Sequence, residues 1–237
     1  MGIIKIGCDP ENFLSIGGKA ISAAGLFPGT KKEPFKVEKG AIQVDGVALE
    51  FNIDPAETPE EYDRNIDIVL GQMKEMAKLV DKDIVFNFQP YMEFDQDYWT
   101  NQVDDLAKVL GCDGDYSATS LQNSLNPNPM EVLQDQPIRT AAGHVHIGWT
   151  HSRDTSDLAH FNDCKFVANG FHKRHVFSPR TEEEHLRLKY YGAHGAFRPK
   201  PYGVELRSPS NLWVKHPETR RQMFVQTVST FKELTGL

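Results

Sequence analysis

The sequence predicts an α+β fold: an antiparallel or mixed sheet with helices on one face. Three observations carry this. Two hairpin signals stand near the N-terminus, Gly17-Gly18-Lys19 and Asp45-Gly46, each between short runs of strand-forming residues. A long stretch of helical periodicity then follows Thr58. Beyond it, short apolar strands alternate with helical stretches, an order that suits helices layered on a sheet.

The elements follow in chain order. Met1 to Gly7 reads as a strand, followed by Asp9-Pro10-Glu11. Phe13–Ile16 and Ala20–Ser22 form the arms of the first hairpin, and Ala41–Val44 and Val47–Ile53 those of the second. Thr58-Pro59-Glu60-Glu61 opens a helix: Thr58 caps, Pro59 fits the first helical position and Glu61 completes a capping box. Tyr62, Ile66, Val69, Leu70, Met73, Met76, Ala77 and Val80 recur at helical spacing and give that helix one face to bury. Ile84 to Phe94 reads as a strand. Asp113-Gly114-Asp115 and Asn126-Pro127-Asn128-Pro129 mark loops. Arg139 to Trp149 holds a strand with two histidines. Asp154 to about His175 and Glu182 to Tyr191 read as helices, Val204 to Arg207 as a last strand, and Pro217 opens a closing helix that Gly236 ends.

The chain has 237 residues, room for one large domain or two small ones, and is read as a single catalytic domain over residues 1–237. Its net charge of −7 argues against a sequence-independent nucleic-acid binder. No apolar run reaches membrane-spanning length, and the N-terminal residues lack the long apolar core of a signal peptide. Cys8, Cys112 and Cys164 are far apart and odd in number, so they form no zinc or disulfide pattern; a reducing cytoplasm is the simplest compartment.

Chemistry concentrates in pairs of residues two apart, which share a strand face. These are Asp9/Glu11, Glu50/Asn52, His144/His146 and Glu205/Arg207. Each pair has an ordinary reading: a wet strand face, partly buried structural histidines, an exposed ion pair. Together they are harder to set aside, because acidic groups inside apolar strands are costly unless paired or bound to a metal. Asp9, Glu11, Glu50, His144 and Glu205 supply hard oxygen donors with one imidazole, a set that suits magnesium or manganese better than structural zinc. The basic groups Arg139, Arg198, Lys200 and Arg207 suit a transferring phosphoryl group, although a solvated loop is the plainer reading of Arg198 and Lys200. Gly29-Thr30-Lys31 lacks the spacing of a Walker phosphate loop, no nucleophile elbow is present, and the remaining histidines show no ligand spacing.

Five segments in this order resemble a known family: Gly7-Cys8-Asp9-Pro10-Glu11, Pro28-Gly29-Thr30-Lys31, Val44 to Asn52, Gly143-His144-Val145-His146-Ile147-Gly148, and Phe197 to Arg207. The chain resembles the phage-encoded carboxylate–amine ligases (amidoligases, COOH-NH2 ligase type 2) of the glutamine synthetase and glutamate–cysteine ligase superfamily. The resemblance spans nearly the whole chain and is poorest between about Leu158 and Arg187. It implies a curved, mainly antiparallel sheet of about six strands with helices on its outer face. It also implies ATP- and magnesium-dependent (or manganese-dependent) amide formation through an acyl phosphate. On this likeness Glu11, Glu50, His144 and Glu205 are metal ligands with Asp9 beside them. His146 and Arg207 are nucleotide or phosphate contacts, Arg198 and Lys200 belong to the phosphate-transfer end, and Asn52 and Lys31 are substrate contacts. The implied partners are a small-molecule or peptide carboxylate and an amine, met in the cytoplasm of the host, with no nucleic acid and no membrane.

Other classes stay open on the residues alone. A metal-dependent hydrolase would use the His-x-His pair. A small-molecule kinase of the same fold would stop at phosphoryl transfer. A binding protein would keep the fold without catalysis.

Overall fold

The computed structural model of the protein describes residues 3–109, 114–126, 133 and 135–236. Cys112, Asp113 and the Pro127-Asn128-Pro129 part of the second loop signal lie outside the described residues. The fold is α+β, with a large open sheet whose pairings are antiparallel throughout the described residues.

The strands are β1 (Lys5–Ile16), β2 (Lys19–Ile21), β3 (Phe35–Val37), β4 (Gly40–Asp45), β5 (Ala48–Ile53), β6 (Val85–Asn87), β7 (Tyr91–Glu93), β8 (Tyr116–Ser117), β9 (Ile138–Thr140), β10 (Gly143–Gly148), β11 (Ala196–Lys200) and β12 (Gly203–Leu206). The main sheet runs β3-β4-β5-β1-β10-β12-β11-β8, with β2 and β6 paired to the far half of β1, while β7 and β9 form a separate ribbon. Both N-terminal hairpins form. The β1–β2 turn is Gly17-Gly18, both with positive φ (57° and 78°), which is the geometry a two-residue hairpin needs and glycine supplies.

The helices are α1 (Pro59–Val80), α2 (Gln96–Asn101), α3 (Asp105–Lys108), α4 (Leu158–Lys173), α5 (Glu182–Leu188) and α6 (Pro217–Thr235). In α1 the Thr58 side chain accepts from the Glu61 N–H, while the Glu61 carboxylate accepts from Glu57 rather than from the cap residue. Thr181 and Glu184 form a full capping box at the start of α5. The long helices cover one face of the sheet. There Ile6, Cys8, Leu49, Phe51, Val145, Ile147, Val204 and Leu206 from the strands meet Tyr62, Ile66 and Val69 of α1, Phe161 and Val167 of α4, and Phe224 and Phe231 of α6. Fully burying each such side chain contributes roughly 1.5–3 kcal/mol. On the opposite face a second, smaller cluster gathers Phe13, Val47, Phe94 and Trp99. Among the described residues no helix is long and apolar enough to cross a membrane.

Several boundaries differ from the sequence reading. Asp9-Pro10-Glu11 lies inside β1, which continues through it to Ile16, rather than after the first strand. The expected strand Ile84–Phe94 is two strands in two sheets, because Pro90 removes a ladder donor between them. The expected Arg139–Trp149 strand divides at Ala141-Ala142, leaving Arg139 in β9. The helix read from Asp154 starts after its Asp157 cap, and the one read to Tyr191 stops at Leu188.

Candidate functional site

Cross-strand register gathers the ligand-type residues on the sheet face that the long helices leave uncovered. Glu11 of β1 sits opposite Glu50 of β5, which in turn faces Gln43 of β4. Two residues back along β1, Asp9 sits opposite His144 of β10. Two residues on from His144, His146 faces Glu205 of β12, and Glu205 faces Arg198 of β11. Since side chains alternate along a strand, each of these steps keeps to one face. Lys200, two after Arg198, and Asn52, two after Glu50, continue the face at its two ends.

The four residues expected as metal ligands do not gather in one place: Glu11 and Glu50 belong to one group of ligand atoms, Glu205 to a second, and His144 to neither. In the first, ligand atoms of Glu11, Asp45 and Glu50 lie within 4.8 Å of one another. Asp45 is the last residue of β4, just before the hairpin turn, and reads in sequence only as a turn residue. Its carboxylate pairs with the Lys31 ammonium at 2.6 Å. One Glu11 oxygen accepts from the Ala142 N–H at 2.8 Å. Burial, with Asp45 adding to it, raises the Glu11 carboxyl to about 7. Burial together with Asp9, Glu11 and Asp45 holds Glu50 well above the ordinary carboxylate range. These carboxylates have more negative charge than their surroundings balance. An all-oxygen set of this kind fits a hard divalent cation.

In the second group the gathered atoms belong to Asp9, His146 and Glu205. His146 Nε2 stands 2.9 Å from Asp9 Oδ1, yet both atoms are buried without a well-aligned hydrogen bond, as two ligands aimed at one ion would be. The other ring nitrogen of His146 bonds the Tyr202 hydroxyl, the kind of outer contact that orients a ligating imidazole. His144 instead turns Nδ1 toward Asp9 at 3.3 Å and toward Glu205 at 3.5 Å, and Nε2 toward the Tyr191 hydroxyl at 3.3 Å.

Glu205 is fully buried and almost encircled by cations. Lys200 Nζ lies 2.8 Å and Arg198 Nη1 3.5 Å from Oε2, and the Arg207 guanidinium bonds Oε1. Although burial and Asp9 oppose it, Arg207 and the two histidines bring Glu205 down to about 2. Asp9 is likewise held well below its usual value, with His146 and His144 outweighing burial. Burial and Arg207 lower His144 to about 4, whereas Asp9 overcomes burial and raises His146. Arg207 is buried as well, and its Nε also donates to Asp115 at 3.1 Å.

Two expected positions differ in setting. Lys31 is exposed and reaches the site through Asp45. Arg139, counted with the phosphate-facing cations in sequence, is buried in β9; its guanidinium donates to the carbonyls of Leu133, Gln136 and Ile138 and lies 4.3 Å from the Trp99 ring centre. It braces a loop. Asp45, Asp115, Tyr191 and Tyr202 are the members that sequence reasoning missed. Only Asp45 and Tyr202 carried a signal, by lying inside singled-out segments.

No protein-family model matches this chain, and no curated protein does.

Proposed function

We propose that this protein is an ATP- and magnesium-dependent carboxylate–amine ligase, of the phage amidoligase type, that forms an amide bond through an acyl phosphate. The observation that carries the reading is a charge gradient along one sheet face. It runs from the undercompensated carboxylates Glu11, Asp45 and Glu50, past Asp9 and His146, to the cations Arg198, Lys200 and Arg207 around Glu205.

Magnesium at the carboxylate groups would neutralise the β- and γ-phosphates of ATP. The chain's residues have separate tasks. Arg207, Arg198 and Lys200 receive charge that develops on the transferring phosphoryl group; they are already oriented by Glu205, so little reorganisation is needed in the transition state. His146 and Asp9 hold the phosphate end of the nucleotide in register with that cluster. Asn52 and Lys31, at the Glu50 end, contact the acid or the amine. The substrate carboxylate attacks the γ-phosphorus and releases ADP, and the amine then displaces phosphate. The protein contributes positioning and charge more than covalent chemistry. A reaction that consumes ATP suits the cytoplasm, that of the host for a phage protein.

The test is a mass-spectrometric screen of amino acids, peptides and polyamines with ATP and magnesium. The expected result is an amide product with ADP and phosphate in equal amounts. AMP as the stoichiometric product would point to adenylation, and a phosphorylated acid without amide to a kinase.

A further inference from the structure

Away from the sheet face, three histidines line one shallow pocket at the end of α4: His172, His175 and His194, with the hydroxyl side chains Ser178 and Ser208. The ring centres of His172 and His194 lie 5.6 Å apart, and those of His172 and His175 6.4 Å apart. Two imidazoles on one tetrahedral zinc, each with Zn–N of about 2.0–2.1 Å, put their ring centres about 5 Å apart. Among the described residues no hydrogen bond or ion pair fixes any of the three rings. Their nitrogens have not converged, since the groups with ligand atoms within 4.8 Å of one another are the two on the sheet face. His175 and His194 are exposed, however, and exposed side chains change rotamer freely, so both rings can turn inward.

The backbone brings these residues together in a way that makes one of them an unusual choice. α4 ends in a Schellman motif: the His175 N–H donates to the His172 carbonyl at 2.9 Å, and the Val176 N–H to that of Phe171 at 3.3 Å. The left-handed position of this motif usually holds glycine, yet here it holds His175, with a φ of 55°. A side chain is disfavoured in that conformation, so a histidine there points to a role for its ring. His194 belongs to a turn before β11, closed by the Ala196 N–H on the Ala193 carbonyl at 2.9 Å. Gly195 lets that turn lie against α4: its φ is 74°, and a Cβ on it would fall 3.3 Å from Ala118 Cβ and 3.7 Å from His172 Cβ. The negative end of the α4 dipole favours a cation here, against the exposed Lys173 beside it. Because His194 comes from a separate segment, spacing along the chain shows no site.

We infer that His172, His175 and His194 bind a borderline divalent cation, zinc foremost, with water in the fourth position, and that the ion staples the end of α4 to the turn leading into β11. Three imidazole nitrogens suit such a cation and not magnesium, which takes oxygen ligands. Nothing in this inference rests on the ligase reading. The test titrates zinc into chelator-stripped protein held in excess magnesium, by calorimetry and by 15N spectra of the histidine rings, each ring assigned by through-bond correlation to its backbone. In the wild type zinc is expected to shift the ring signals of His172, His175 and His194, whereas magnesium alone leaves them unmoved. His172→Gln, His175→Gln and His194→Gln each remove one ligand. Each is expected to weaken this zinc by at least about 10–100-fold, the loss typical of removing even an outer contact of a metal site. Zinc is also expected to raise the Tm of the wild type and not that of the variants. Zinc that leaves these three rings unshifted, or that binds all four proteins with equal affinity, overturns the inference by placing the ion elsewhere. A loss confined to one or two of the variants overturns the three-ligand site and leaves an adventitious surface contact. The absence of zinc binding overturns it as well. The wild-type spectra decide even if a variant does not fold.

Discussion

The two carboxylate groups on the sheet face lie side by side and solve opposite problems. Around Glu205 the protein has built its own counterions: Arg207, Lys200, Arg198 and His146 hold its buried carboxylate ionised, at about 2. Around Glu11 and Glu50, among the described residues, Lys31 and Arg207 offset only part of the charge at Glu11, and burial with mutual repulsion drives both carboxyls upward. Similar residues in neighbouring strands thus differ in whether their charge is balanced from within. A carboxylate balanced internally is a structural anchor for the groups that balance it. One left unbalanced is a place where a cation from outside gains most. Under the proposed function, this difference suits Glu205 to anchoring and Glu11, Asp45 and Glu50 to holding a cation.

Glu205→Gln should break the comparison most severely. It leaves several buried cations without their shared anion, and breaking a buried pair by removing one partner costs about 3–5 kcal/mol. A thermal or denaturant unfolding curve should show a loss of this size. A Tm close to that of the wild type would mean that Glu205 is dispensable as an anchor.

Arg207→Lys probes what the anchored cations do. Lysine keeps the charge but loses the planar fork that serves Glu205, Asp115 and Tyr191 together. Under the proposed function kcat should drop about 10²–10³-fold, the scale for one transition-state donor. Because Arg207 is buried, Tm should fall too, so the folded fraction has to be matched before rates are compared. Undiminished kcat would remove Arg207 from phosphoryl transfer and leave it a purely structural cation.

The unbalanced group has its own signature in pH. Glu11 and Glu50 are raised in the folded protein above their unfolded value near 4.5. In that window the folded state therefore binds more protons than the unfolded one, and stability contributed by these groups is lost as pH rises from about 4.5 through 7. For Glu11 the loss is on the order of 3 kcal/mol. His144 works against this slope: lowered to about 4, it makes the fold more stable as pH rises from there to 6.5. The informative quantity is therefore a difference. Tm with magnesium minus Tm with chelator should grow as pH climbs from about 4.5 past 7, because a bound cation favours ionised Glu11 and Glu50. A pH-independent difference would place the cation elsewhere.

How much of this was legible in sequence follows from which contacts are local. The hairpins, the Thr58 start of α1 and the Gly236 end of α6 were readable, because turn and cap chemistry is written in a few adjacent residues. The pairs Asp9/Glu11, His144/His146 and Glu205/Arg207 were readable for the same reason. Which pair faces which was not, since register depends on distant strands: only the pairing of Glu11 with Glu50, and of His146 with Glu205, divides the ligands into two groups. Tyr191 and Asp115 gave no local signal, because each matters through a partner far away in sequence. Arg139 misled, since a cation beside a histidine strand reads as functional until its carbonyl partners are seen.

The smallest effect concerns an exposed counterion of the unbalanced group. Lys31 is exposed and pairs with Asp45 at 2.6 Å, on the rim of the cluster that holds Glu11 and Glu50. Exposed pairs of this kind contribute about 0–1 kcal/mol, so Lys31→Gln should leave Tm nearly unchanged. Its ammonium nevertheless competes with an incoming cation for the Asp45 carboxylate. Removing that charge should tighten magnesium binding by about two- to fivefold, the same fraction of a kcal/mol read as an affinity. Calorimetric titration of magnesium into wild type and variant measures it. Weaker binding in the variant would mean that Lys31 holds Asp45 in place for the cation rather than competing with it. If Lys31 also touches the acid or amine, KM for that substrate rises while magnesium affinity still improves, and the two readouts separate its roles.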